Sequence, residues 1–233
     1  MAQLRSDFVD TVVGPGEPVA KLPERGTVRI GTGLRSEGGH LECTKAGVLR
    51  LTKQGRLWVE GNQKRYIPQT DDLVIGVVRS RLAESFVVDI RAPSPAQLPA
   101  LAFEGATKRN RPNLQPGDLV YARVAQATPD MDAELSCVDA VGRAAGFGPL
   151  KGGVLTTCPT GTARRLLVRP PSPVLTTLGK FVQYEVAVGM NGRVWVSAAT
   201  PAAAALVVAA VKAVDGRSDA DAVAAVTKLA GAL

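Results

Sequence analysis

Residues 188 to 196 read Val-Gly-Met-Asn-Gly-Arg-Val-Trp-Val, and the fold of the C-terminal third depends on what their centre does. On the N-terminal side, Phe181 to Val188 alternates, with Val182, Tyr184, Val186 and Val188 on one face, the pattern of a half-buried strand. Arg193 to Ser197 supplies a second strand. Asn-Gly is the preferred pair for a two-residue type I′ turn, because both central positions need positive φ. A turn at Asn191 and Gly192 predicts Met190 opposite Arg193 and Val188 opposite Trp195. Gly189, Met190, Asn191 and Gly192 are therefore expected to form a structural hairpin turn.

The same four residues invite another reading. A G-X-X-G loop clamps single-stranded RNA when it joins two helices, where loop backbone and helix N-terminal amides meet the phosphates. Here the tetrapeptide joins two strands, which favours the turn over the clamp. Around it, Thr160 to Val168 (TGTARRLLV) reads as a short helix ended by Pro170, Pro171 and Pro173. Thr200 with Pro201 at the first helical position opens a helix through Val214, and Ser218 with Asp221 caps another running to the terminus. Residues 148–233 thus read as a mixed α+β domain.

Upstream the text is mainly β. From Val12 to about Ile67, Gly and Pro punctuate short β-like runs (Thr27 to Ile30, Val48 to Thr52, Arg56 to Glu60), which predicts a small antiparallel β domain over 1–67. Over 68–147, Leu73 to Val78, Phe86 to Ile90, Leu98 to Phe103, Leu119 to Ala125 and Glu134 to Asp139 are five strand candidates separated by turn signals. That count and spacing fit a barrel of the OB type, an architecture that binds oligonucleotides on one face and its loops.

The chain of 233 residues carries a formal net charge of +7, which favours polyanionic partners. The excess is uneven: residues 68–147 hold 8 Lys or Arg against 10 Asp or Glu. Inside that net-acidic block, Thr107-Lys108-Arg109-Asn110-Arg111-Pro112 places three cations in four residues, with no acid between Gly105 and Gly117. Cations focused on a barrel loop neutralise phosphates, and arginine binds them bidentately. Lys108, Arg109, Asn110 and Arg111 are therefore the candidate RNA-binding residues. Lys64-Arg65-Tyr66 reads as a linker packed on the barrel through Tyr66, while Arg164, Arg165 and Arg169 read as a basic helix face, either exposed, used by a protein partner or contacting RNA.

Catalysis finds no support. His40 is the lone histidine, beside two glycines in SEGGHLEC, and no Ser-His-Asp or Cys-His arrangement can be built around it. Asp71-Asp72 and the scattered Asp130, Asp132 and Glu134 leave a metal-dependent ribonuclease as a third alternative, although adjacent acids at a strand start are turn chemistry more often than metal ligands. Gly31-Thr32-Gly33 lacks the third glycine and the βαβ frame of a dinucleotide site. Cys43, Cys137 and Cys158 are odd in number and far apart, which argues against a disulfide framework or zinc. No metal and no cofactor are expected. The start MAQLRSDFVD has no signal-peptide core, and the apolar run Ala202 to Val211 is too short to span a bilayer, so the expectation is a soluble, intracellular chain without membrane contact.

At FEGATKRNRPNLQPGDLVYARV, residues 103 to 124, the chain closely resembles the eukaryotic RNA exosome cap subunits of the S1/KH type. RYIPQTDDLVIGVV before it, and VGRAAGFGPL, ARRLL and VGMNGRVWV after it, agree in the same order. The likeness runs from about Ile30 to the end and is less distinct up to Val28. It implies an N-terminal β domain, an S1 domain of OB type and a KH-type domain, with the G-x-N-G as a variant KH loop that serves packing. It also implies a non-catalytic hetero-oligomer subunit without cofactor, resting on a ring of RNase-PH-like proteins beside other cap subunits. Such a subunit guides single-stranded RNA into a channel for 3′→5′ processing and degradation, in nucleus, nucleolus and cytoplasm. Lys108, Arg109, Asn110 and Arg111 then fall in the S1 loop facing that channel. An autonomous S1/KH RNA-binding factor is the main alternative.

Overall fold

The computed structural model describes residues 7–23, 28, 30–52, 55–61, 65–128, 131–139, 141–168 and 172–231. Two units divide the chain, Met1–Asn62 and Gln63–Leu233. In the first, six short strands, β1 (Val12–Val13), β2 (Pro18–Lys21), β3 (Leu34–Glu37), β4 (His40–Cys43), β5 (Gly47–Leu51) and β6 (Leu57–Glu60), make two antiparallel sheets ordered β1-β5-β6 and β2-β4-β3. Leu41, Leu49, Leu57 and Val59 are completely buried in its core.

The second unit opens with a closed barrel. Strands β7 (Leu73–Arg81), β8 (Ser85–Asp89) and β9 (Ala96–Pro99) pair antiparallel in sequence, and β7 also pairs β10 (Leu119–Thr128). β11 (Met131–Ser136) closes the ring by pairing antiparallel with β10 and parallel with β9, the topology of an OB barrel. Alternation along the strands points Val74, Phe86, Val88, Leu98, Val120 and Val124 inward. All five expected strands differ in extent, with β8 shifted by one residue and β11 by three towards the N-terminus. β7 and β10 run three residues further, and β9 stops at Pro99 because Ala102 N–H turns back to the Pro99 carbonyl.

A short strand, β12 (Gly148–Leu150), adds to β10 and leads into the KH-type part: β13 (Val154–Thr157), α1 (Thr160–Leu167), α2 (Pro173–Leu178), β14 (Tyr184–Val188), β15 (Arg193–Ala198), α3 (Pro201–Ala213) and α4 (Asp219–Ala230). Its sheet has the order β13-β15-β14. Helix α2 overturns the reading of the proline run as a mere terminator. Pro173 sits in the first turn, where its missing N–H costs nothing and its fixed φ suits the helix. The expected caps of the last two helices form: Thr200 accepts from Ala203 N–H at 3.2 Å, and Ser218 from Asp221 N–H at 3.2 Å.

Both faces of this sheet are covered. Val188, Val194 and Val196 face the helices, packing with Ala163, Val207 and Val211. On the opposite face Ala187, Trp195 and Leu155 meet the outside of the barrel at Ile75, Leu119, Tyr121 and Leu150. Trp195 is anchored there by its indole N–H, which donates to the Gly152 carbonyl at 2.8 Å. The predicted alternation of β14 holds, with Val182, Tyr184, Val186 and Val188 on the helix side and Glu185 exposed, and the barrel covers the opposite face only at Ala187. No helix among the described residues is long and apolar enough to cross a membrane.

Ile75 belongs to this shared core, not to the barrel interior, and is completely buried. Ile75→Ala should lower the unfolding free energy in urea by about 2–4 kcal/mol. A reduction below about 0.5 kcal/mol would mean that the two halves of the second unit do not stabilise each other.

Candidate nucleic-acid interface

The G-M-N-G tetrapeptide forms the tip of the β14–β15 hairpin, but in a register one residue away from the expected one. Val188 pairs with Val194 and Ala187 with Trp195, so Gly189 stands opposite Arg193 and three residues make the loop. Gly192 N–H returns to the Gly189 carbonyl at 2.9 Å, and Gly192 takes φ of +74°. This is a three-residue loop whose glycine alone enters the left-handed region, rather than a type I′ turn needing positive φ at Asn191 too. The cause is non-local: the Asn191 side chain is committed to the barrel.

Asn191 is 1% exposed. Its amide nitrogen donates to the carbonyls of Ile75 (2.8 Å) and Ile90 (3.0 Å), and Met190 N–H donates to the Leu73 carbonyl at 2.7 Å. Cys158 N–H donates to the Gly192 carbonyl at 2.8 Å, tying the hairpin to the strand before α1. A Cβ on Gly189 would stand 2.3 Å from the Asn191 oxygen, and one on Gly192 would stand 2.3 Å from the Cys158 carbonyl. The tetrapeptide is therefore a socket in which Gly189, Asn191 and Gly192 are buried and Met190 is half-buried against the barrel. The sequence between helices α1 and α2, Val168-Arg169-Pro170-Pro171-Ser172, contains no glycine.

Arg193 completes the joint. It is 7% exposed, and its guanidinium donates to the Asp89 carbonyl, to the Ile75 carbonyl at 3.3 Å and to the Asp89 carboxylate at 3.2 Å. Arg79 reaches the same carboxylate at 2.9 Å, and Arg91 donates to the Gly192 carbonyl at 3.3 Å. Burial works against the charge of Asp89. The Arg91 backbone N–H and the guanidiniums of Arg79 and Arg193 outweigh it and hold the carboxyl down at about 2. Sequence reading missed Asp89, Arg91 and Arg193, because nothing in their spacing along the chain marks them as neighbours.

The basic loop lies at one end of the barrel, with Lys108, Arg109 and Asn110 exposed and Arg111 half-buried. Thr107 and Asn110 close it on itself: Thr107 N–H donates to the Asn110 carbonyl and Asn110 N–H to the Thr107 hydroxyl, both at 3.0 Å. Two bonds brace it against the β7–β8 turn. Arg111 donates to the Ala83 carbonyl at 2.6 Å, and Arg81 to the Asn113 side-chain oxygen at 3.2 Å. The structure thus separates the three predicted cations. Lys108 and Arg109 present their charge to solvent, whereas Arg111 holds the loop. It also adds exposed Arg81, which the sequence places 27 residues before Lys108. The first connection of an OB barrel belongs to its binding surface, and the bracing puts the basic loop beside that connection.

Several of the other predicted positions have internal partners. Arg165 donates to Asp219 at 2.6 Å and to the Val214 carbonyl at 3.1 Å, so it ties α1 to the α3–α4 corner. Arg169, Lys64 and Asp130 lie outside the described residues, and Arg65 is exposed. Tyr66 is buried in the barrel core and donates its hydroxyl to Asp72 at 2.7 Å, while Asp71 pairs with Arg123 at 2.5 Å. Asp132 and Glu134 stand exposed on β11, and among the described residues no three His, Cys, Asp or Glu side chains are grouped to hold a metal ion. His40 contacts the Gly38 carbonyl at 3.1 Å. All three cysteines are buried free thiols; burial pushes Cys137 up to about 12 and Cys158 up to about 11, which suppresses the nucleophilic thiolate.

The joint is open to two tests. Asn191→Asp replaces two donated bonds by carboxylate–carbonyl repulsion and should cost roughly 2–4 kcal/mol in a denaturant melt; unchanged stability would refute the socket. Asp89 has a folded-state pKa below that of an unfolded aspartate. Its stabilisation is therefore complete above about pH 4 and is lost as pH falls towards 2. Asp89→Asn should flatten the acid side of the stability profile within that window, and an unaltered profile would contradict the pairing.

Comparison with known proteins agrees with this architecture. Family models match residues 66–148 as the S1 domain of exosome complex component RRP40 and residues 153–202 as a KH domain. The exosome complex component rrp40 of Schizosaccharomyces pombe is 41% identical over 226 residues, covering 94% of each chain. The RRP40 of Drosophila melanogaster is 44% identical over 191 residues, covering 81% of this chain and 82% of the fly protein. The human RRP40 is 42% identical over 201 residues, covering 80% and 73%. A crystal structure described as an exosome complex RNA-binding protein superposes with a TM-score of 0.58 at 23% identity, over 71% of this chain and 97% of the other, and shares the fold. A buried S1–KH joint, a basic barrel loop and relatives at this identity over most of their length place the chain in the exosome complex component RRP40 family.

Proposed function

We propose that this chain is a non-catalytic, RNA-binding cap subunit of the RNA exosome, which stabilises the complex and guides single-stranded RNA towards degradation in its channel. The observation that carries the reading is the loop at 107–113: Lys108 and Arg109 are exposed on the barrel end and held in place by Arg111 and Arg81. Family membership supplies the complex in which such a loop acts.

The barrel end favours backbone contact over base reading. Between Ile67 and Pro112 the aromatic residues are Phe86, buried in the barrel, and Phe103, half-buried against it. Neither offers the exposed stacking platform that sequence-tolerant single-strand binders use. Phosphate neutralisation by Lys108 and Arg109 is then the main contribution, with little preference among bases. RNase-PH-like ring proteins and other cap subunits are the partners that this role requires, and nucleus, nucleolus and cytoplasm are the compartments where it operates.

Lys108→Ala with Arg109→Ala, in the reconstituted complex, should weaken single-stranded RNA binding without changing the melting behaviour of the subunit. The slope of log affinity against log salt should become shallower by about 1.4, at roughly 0.7 for each phosphate no longer neutralised. Complexes that bind and degrade RNA with the original salt dependence would overturn the loop assignment.

A further inference from the structure

We infer that Leu82 and Leu101 form an apolar subsite beside the basic loop that takes the bases of single-stranded RNA while Lys108 and Arg109 take its phosphates. The inference deepens the RNA reading above and rests on it. Leu82 is 50% exposed and Leu101 is 52% exposed, in a molecule whose other barrel leucines between Leu73 and Leu135 are buried or half-buried.

The strand register brings them together. β7 pairs Arg81 with Phe86, and Leu82 N–H donates to the Ser85 carbonyl at 2.8 Å, so Ala83 and Glu84 make a two-residue turn. β8 pairs Ser85 with Pro99, and Ala100 N–H donates to the Glu84 carbonyl at 2.9 Å. Leu101 follows directly on that bond, where β9 has ended, and so stands at the same β7–β8 turn that carries Leu82. Arg111 donates to the carbonyl of that same Ala83, and Arg81, the residue before Leu82, donates to Asn113. Two exposed leucines and four cations therefore share one end of the barrel, with Glu84 the acid in the turn.

Isolated exposed leucines are ordinary, but a leucine pair framed by cations suits one chemical class of ligand: a polyanion with apolar faces. Single-stranded RNA is such a ligand, since its splayed bases expose both faces. A duplex hides those faces and would leave the leucines wet. Aliphatic side chains also impose no hydrogen-bond pattern, so the subsite distinguishes single from double strands without reading sequence.

The test measures binding to the reconstituted complex carrying the wild-type chain, Leu82→Ser with Leu101→Ser, or Lys108→Ala with Arg109→Ala. Two probes are used: a single-stranded RNA and a strand of equal length with tetrahydrofuran spacers in place of nucleosides. The serine pair should bind RNA roughly tenfold more weakly, as expected from re-exposing half of two leucine side chains, while binding the spacer strand normally and keeping the salt slope. The alanine pair should weaken both probes and flatten the slope. If the serine pair binds RNA like wild type while the alanine pair is weakened, the subsite falls and the phosphate reading stands. If neither pair changes binding, both fall. A serine pair that folds but no longer enters the complex would assign the leucines to a protein neighbour and overturn the inference.

Discussion

Asn191 donates two hydrogen bonds to carbonyls of the barrel, Ile75 and Ile90, and the second unit depends on that contact. A primary amide buried to 1% exposure is costly unless its groups are satisfied. Here its amide donors are satisfied by those two carbonyls. Arg193 repeats the arrangement with a charge, taking the Ile75 and Asp89 carbonyls and the Asp89 carboxylate. Breaking a buried pair by removing one partner strands the other, so the joint resists partial disruption. Around it, Trp195, Ala187 and Ile75 exclude water.

This constraint explains why an RNA clamp motif is absent from the surface of a KH-type fold. The G-M-N-G glycines are needed for close approach, to Asn191 and Cys158, and not to a ligand backbone. With the KH sheet packed on the helices and on the barrel, the barrel end is the place we propose for a nucleic acid. A rigid two-part body is also suited to holding a loop at a fixed position, because the loop inherits the orientation of the barrel and the barrel that of the KH-type part.

Much of this was legible in the sequence, for identifiable reasons. Strand alternation and Asn-Gly are local signals, so the β14–β15 hairpin could be read from nine residues. The cluster at 108–111 stands out because no acid interrupts it. Helix α2 was hidden because a proline that ends one helix and a proline that begins another look alike without the intervening geometry. The turn geometry at Asn191 was hidden because its partners lie 116 and 101 residues away. Arg81 and Leu82 join the candidate site only through the pairing of β7 with β8 and the bond from Arg111 to Ala83. Long-range register is the information that composition and spacing lack.

RNA is proposed to meet the barrel end and not the G-M-N-G hairpin. Ultraviolet crosslinking of single-stranded RNA to the assembled complex, with the attached peptides identified by mass spectrometry, addresses both places at once. Adducts on the segment spanning residues 101–113, and none on residues 188–196, are the expected result. Adducts concentrated on the hairpin would show that it opens to RNA, and would contradict the account.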